Sequence, residues 1–283
     1  MNKMLFFALV CLSFLTGCAQ SDHVVTIKTK FGDMVAILYD ETPKHKENFI
    51  RLARDHYYDS LLFHRVIQGF MIQGGDPDSK NAAPGLPLGN GGPGYTIPAE
   101  FNSKYIHERG ALAAARQGDA MNPKKESSGS QFYIVQGRRH TREQLLIDQQ
   151  KYGRALQQFF QKPDNKAYFD SVNVFFQARD EEGYNNFMKR LRPVVEEQLG
   201  ISVERELDPH TVEVYTTIGG TPQLDGEYTV FGKVISGLEV IDQIAAQPRG
   251  PGDRPVEDIR MTVTVEEMSR KEIEQKYGYQ YPN

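Results

Sequence analysis

Residues 24–39 alternate, apolar at Val25 and Ile27 and again at Met34, Ala36 and Leu38, with Phe31-Gly32-Asp33 between the two runs. A period of two interrupted at a glycine predicts a pair of strands. The period then changes. Phe49, Ile50, Leu52 and Ala53 fall on one helical face, behind Thr42 as a fitting N-cap and Pro43 as a first helical residue. A helix is therefore expected to about residue 57. From residue 63 onward short apolar runs alternate with glycine-rich turns: FHRVIQGFMIQGGDP at 63–77, GNGGPGYTIPAEF at 89–101, GALAAAR at 110–116 and SSGSQFYIV at 127–135. Residues 213–218, 229–235 and 259–265 read as three more strands. Strands this short and evenly spaced suit a closed barrel or a sandwich rather than alternating β-α units.

One block breaks the pattern. Residues 138–210 are polar and helical in period, and Thr141-Arg142-Glu143-Gln144 has the spacing of a capping box. Leu145, Leu146, Tyr152, Leu156, Phe159 and Phe160 are expected to form one apolar stripe, with further helices over 166–179 and 182–199. The block reads as a helical insertion, because a structureless loop of that length is foreign to a compact domain. It divides a β-rich domain into 23–137 and 211–267. The tail, 268–283, reads as a short helix and a loose end.

The first residues concern place rather than fold. MNKMLFFALVCLSFLTG, residues 1–17, carries Lys3 before an apolar run, the pattern of an export signal too short to span a bilayer. Leu15-Thr16-Gly17-Cys18 resembles the lipobox of bacterial lipoproteins. That resemblance makes Cys18 the acylated first residue of the mature chain, 18–22 a tether, and a lipid membrane a partner. Each buried methylene of an acyl chain would add about 0.8 kcal/mol. Ala19 behind Cys18 leans toward the periplasmic face of the outer membrane, within the cell envelope. The remaining cysteine, Cys11, lies in the signal, so no disulfide is expected in the mature protein. With 33 basic against 37 acidic side chains, no basic excess suggests nucleic acid as a partner.

The candidate chemistry centres on 63–77. Arg65 stands among apolar residues with Gln73 nearby, without a cysteine, a metal-ligand cluster or a catalytic carboxylate. The histidines (His23, His45, His56, His107, His140 and His210) show no ligand spacing, and no metal is expected. His64 reads as a hydrogen-bonded core histidine. Gly89, Gly91, Gly92 and Gly94 lack the Gly-Lys-Ser/Thr of a phosphate loop and read as turn glycines.

Together with LDGEYTVFGKV at 224–234, the four motifs above occur in the order and spacing of the cyclophilin family of peptidyl-prolyl cis-trans isomerases, which the chain resembles. The resemblance implies a mainly β fold, an eight-stranded antiparallel barrel capped by two helices, here with an α-helical insertion. It implies an isomerase of Xaa-Pro bonds in proline-containing polypeptides, working without a cofactor and here assisting exported proteins to fold. Arg65 matches the family's catalytic arginine and Gln73 the glutamine that helps hold it. Phe70, Met71, Tyr133 and Leu224 match the walls of the proline pocket. Ala115 and Gln131 match the groove for the preceding residues, and Arg116 a position whose backbone binds the peptide.

Two positions depart from the family pattern. Gln223 stands where many members have tryptophan, which implies weak cyclosporin binding. Tyr228, at the pocket rim, stands where many have histidine. The insertion leaves and returns beside the groove, so its helices are placed to meet the polypeptide substrate or a protein partner. A barrel that only binds proline segments, or an assembly scaffold, is the rival reading.

Overall fold

The alternation at 24–39 does form a hairpin, and the strands after it pair into one curled sheet. The computed structural model describes residues 20–281. In chain order its elements are β1 (Ser21–Thr29), β2 (Gly32–Leu38), α1 (Pro43–Arg54), β3 (Phe63–Ile67), β4 (Met71–Gly74), β5 (Thr96–Ile97), β6 (Ala111–Ala114), β7 (Ser127–Ser128) and β8 (Phe132–Val135). The insertion follows with α2 (Arg142–Leu145), α3 (Gln149–Phe160), α4 (Lys166–Ala178), α5 (Glu181–Leu199) and α6 (Pro209–Thr217). The chain ends with β9 (Val230–Ser236), α7 (Leu238–Ala245), β10 (Thr262–Ser269) and α8 (Arg270–Tyr277).

Eight strands form an antiparallel sheet in the order β10-β1-β2-β9-β6-β8-β4-β3. The two edges come together at the start of β3 and just before β10. Met261 donates to the Leu61 carbonyl at 2.8 Å, and Ser60 and Phe63 donate to Met261 and Ile259 at 2.9 Å. The sheet is thereby closed into a barrel whose interior holds Ile27, Met34, Phe63, Ile72, Leu112 and Phe132, all but excluded from solvent. Two helices cover it, α1 through Phe49 and Leu52 and α7 through Ile241 and Ile244.

Helix α1 obtains its cap from a distance. The Thr42 hydroxyl donates back to the Tyr39 carbonyl at 3.3 Å instead of accepting a helix N–H. The Glu100 carboxylate accepts from the backbone of Lys44 and His45 at 3.2 and 3.0 Å. An anion at a helix N-terminus satisfies free donors and opposes the helix dipole.

Several expectations change. Residues 213–218 are not a strand but the end of α6 and its C-cap Ile218, the helix being started by Asp208, whose carboxylate accepts from Thr211, and by Pro209. The β-branched run there imitates a strand, yet Val212 and Tyr215 are one helical turn apart and bury together against Leu145. A boundary at 210 would therefore cut a helix. The single stripe also divides. Leu145 joins α6, whereas Tyr152 and Phe159 bury against Leu191 and Val195 of α5. The break lies at 146–148, where α2 ends and Ile147 pairs with Glu204. The proposed tether already belongs to the sheet at Ser21 and Asp22, opposite Ser269 and Met268. Nor is the tail loose. After α8, Tyr279 and Tyr281 pack with buried Ile273 over Val24, Val35 and Ile37, covering an apolar outer face of the sheet. The signal at 1–17 and Cys18 lie outside the described residues.

Candidate active site

The pairing of β3 with β4 slips by one residue. Phe63 stands opposite Gly74 and Arg65 opposite Gln73, so His64 is the extra residue of a bulge. Phe63 packs into the barrel interior, His64 is buried under the Gly89 loop beside the cavity, and Arg65 stands beside Gln73 on the open face. The Arg65 guanidinium donates to Gln73 Oε1 at 3.3 Å. Its Nε lies 3.7 Å from an Asp253 carboxylate oxygen, and its side chain keeps 40% exposure. Asp253 also accepts from Arg249 at 2.8 Å. The rest of the polar chain runs away from the arginine: Gln73 donates to Gln131 at 3.1 Å, and Gln131 donates to the carbonyls of Gly89 and Gly91 at 2.9 and 2.7 Å.

The glycine-rich loop therefore serves as a fixed rail for the two glutamines. It is fixed in turn by fully buried Asp76, which accepts from the Gly89 and Gly91 N–H groups. The Gly74-Gly75 break also has a steric cause. A Cβ on Gly75, at φ +90°, would sit 2.2 Å from the Ser130 carbonyl oxygen.

Beside Arg65 opens a cavity of about 270 Å³, lined by Phe70, Met71, Ala115, Tyr133, Leu224 and Tyr228, with Gln73 and Arg116 also on its wall. Nine of the ten sequence-predicted site residues meet there; Gln131 stands one hydrogen bond behind, on Gln73. Asp253 is an addition that sequence reasoning missed. It lies in a Gly-Pro-Gly-Asp turn, which announces a bend and nothing about its distant partner. His64 differs from expectation. It is buried, and neither ring nitrogen has a hydrogen-bond partner among the described residues. Burial, only partly opposed by Asp76, pushes its pKa down to about 4, leaving a neutral ring at the cavity. Among the described residues, no group of three His, Cys, Asp or Glu side chains is placed to hold a metal ion.

Residues 24–147 and 163–266 match the family described as cyclophilin type peptidyl-prolyl cis-trans isomerase/CLD. The chain belongs to this family. It is a cyclophilin-type peptidyl-prolyl cis-trans isomerase. A Staphylococcus aureus (strain USA300) protein named for that activity is 29% identical over 253 residues, covering 88% of this chain and 94% of its own. A Streptococcus pyogenes serotype M6 protein, named for a bifunctional phosphatase/peptidyl-prolyl cis-trans isomerase, is 32% identical over 242 residues. The match covers 83% of this chain but spans only 37% of the Streptococcus protein. Among solved structures, a Cryptosporidium parvum cyclophilin type isomerase superposes with a TM-score of 0.49 at 21% identity, over 87% of this chain and 98% of that one.

In this cyclophilin the pocket wall is wired to the insertion. Buried Tyr133 shares a hydrogen bond with His107 Nε2 at 2.9 Å, and burial holds its phenol far above the usual range, so it stays protonated. His107 Nδ1 and backbone N–H both meet Asp225 Oδ1 at 2.9 Å, while Oδ2 accepts from Tyr215 of α6 at 2.7 Å. Asp225 follows Leu224, itself a pocket residue, so one carboxylate fixes two walls. Arg116, only 5% exposed, uses its side chain structurally. It donates to the Glu227 carbonyl at 2.8 Å and to Asp119 at 2.6 Å, with its guanidinium 4.5 Å from the Tyr228 ring centroid. That cation-π contact holds Tyr228 edge-on to Tyr133, with ring centroids 5.8 Å apart.

Proposed function

We propose that Arg65 is the catalytic group of this isomerase and that its substrates are Xaa-Pro segments of exported polypeptides. The amide barrier, about 18–20 kcal/mol, arises from delocalisation of the nitrogen lone pair into the carbonyl. No bond need break to lower it. The site must favour a twisted amide whose lone pair has returned to nitrogen. A partly exposed guanidinium, held by Gln73 and Asp253 at the mouth of an apolar pocket, is the observation that carries this reading. Seated among Phe70, Met71, Tyr133 and Leu224, a proline ring presents its nitrogen and carbonyl to Arg65. The preceding residue lies along Ala115, Arg116 and Gln131, free to swing. Fixed charge aimed at the developing lone pair stabilises the twisted state more than either planar one. The planar fork of arginine suits this task because it donates in a fixed direction and never loses its charge.

The test is exchange at one Xaa-Pro bond of a short peptide, followed by NMR with the unmutated chain and with Arg65→Ala. Exchange should fall roughly 100-fold in the variant, with peptide binding retained. Binding without exchange in the unmutated protein would overturn the catalytic reading and leave a proline-binding module. The setting is proposed on the same footing: acylation at Cys18 would tether the enzyme to a membrane of the cell envelope, where newly exported chains fold. Among the described residues no helix is long and apolar enough to cross a membrane, and the lipid supplies the attachment. Incorporation of labelled fatty acid that disappears in Cys18→Ala tests it; equal labelling of both proteins counts against it.

A further inference from the structure

Next to the proline pocket lies a larger cleft, about 820 Å³, between the barrel and the insertion. The two share Phe70, and the cleft continues past Gln223, beside the pocket residue Leu224. Its far wall is Gln144 and Gln149, at α2 and the start of α3. None of Ala115, Arg116 or Gln131 reaches it. If the residues before proline lie on that side, as proposed above, a bound chain leaves the pocket at Phe70 and enters the cleft.

The charges in the cleft are not balanced in their commitments. Its three carboxylates are occupied: Asp148 caps Lys151 of α3 at 2.8 Å, Asp225 holds His107 and Tyr215, and Glu227 pairs with Arg116 at 3.2 Å and with Lys125. Its two arginines are not. Arg138 is fixed through its backbone, which exchanges hydrogen bonds with Gly220 at 3.3 and 3.0 Å. Arg205 uses only Nε, donating to the Leu145 carbonyl at 2.8 Å. Among the described residues no carboxylate lies within ion-pair distance of either guanidinium. Thr221 adds an independent sign of a ligand. It lines the cleft, is 2% exposed, and its hydroxyl has no hydrogen-bond partner among the described residues.

We propose that this cleft binds the stretch of substrate polypeptide that follows the proline and prefers acidic side chains in it. The inference rests on the isomerase reading for the direction of the chain. Arg138 and Arg205 receive the carboxylates, while Thr221 and the glutamine amides receive the backbone. The insertion thereby becomes part of the substrate site, and the enzyme selects prolines by what comes after them.

The experiment compares three labelled peptides with one Ala-Pro core: one ending just after proline, one extended by glutamates and one extended by lysines. Binding is read by fluorescence anisotropy with the full chain in detergent, and exchange by NMR on the same samples. The glutamate peptide should bind about fivefold tighter than the lysine peptide, a margin that shrinks at high salt. Arg138→Glu should abolish or reverse that preference and leave the short peptide unaffected. Arg205→Gln, checked for an unchanged circular dichroism spectrum, should weaken it. Equal affinity for the two extended peptides, or a preference that survives both variants, overturns the proposal. Failure of the isomerase reading looks different: the short peptide would show no exchange, whatever the extended ones do.

Discussion

Arg65 reaches its working position because the residue before it is surplus to the pairing. His64, the surplus residue, is buried as a neutral ring, and this has a consequence for acid stability. Its pKa is about 4 in the folded chain against an ordinary 6.5. As pH falls between those values the unfolded chain takes up a proton that the folded chain refuses, so unfolding becomes easier. Above the ordinary value the group has no effect. At about 1.4 kcal/mol per pH unit the loss approaches roughly 3 kcal/mol at the acid end. His64→Asn should therefore flatten the decline in urea midpoint between about pH 7 and about pH 4.5. A decline as steep as in the unmutated protein would show that the ring is not responsible. At this scale the site was largely legible. Arg65, Phe70, Met71 and Gln73 stand in one continuous motif, and local order in the sequence carries them together. Asp253 and His107 were not legible, because they lie in turns and loops far along the chain from their partners Arg65 in β3 and Tyr133 in β8, and only the closed barrel brings them close.

Elements were legible where period and capping agree. The hairpin, α1 and the capping box at Thr141 follow from local pattern, and the Thr141 and Gln144 side chains each bond the other's backbone. Helix α6 was misread because Val and Thr favour strands, while its helical state is imposed by Asp208, Pro209 and burial against α2. That helix reaches the pocket through Tyr215. Tyr215→Phe should remove one donor from Asp225 and cost about 1 kcal/mol of stability. Asp225 would retain His107, so exchange of the short peptide should slow only about threefold. An unchanged exchange rate alongside the lost stability would mean that α6 supports the fold without setting the pocket.

At the scale of the molecule the insertion behaves as a module with its own core. Phe159, Leu191, Val195 and Val203 are buried among themselves and their neighbours, apart from the barrel interior. The chain enters and leaves this module at one place, where Ile147 and Glu204 pair. Replacing residues 148–203 by a two-glycine link should leave a folded barrel and near-normal exchange on a short peptide. An excised chain that fails to fold would show that the barrel depends on these helices. The length and polarity of the block made the insertion legible, but its internal packing depends on contacts between helices that no single period reveals. The protein contains no tryptophan among its 283 residues, and Gln223 is exposed where the pocket meets the cleft. The chain is therefore dark in the wavelength range where indole alone emits. Gln223→Trp would place a sole emitter at that junction, and the colour of its light would report which of the two compartments a bound peptide had filled.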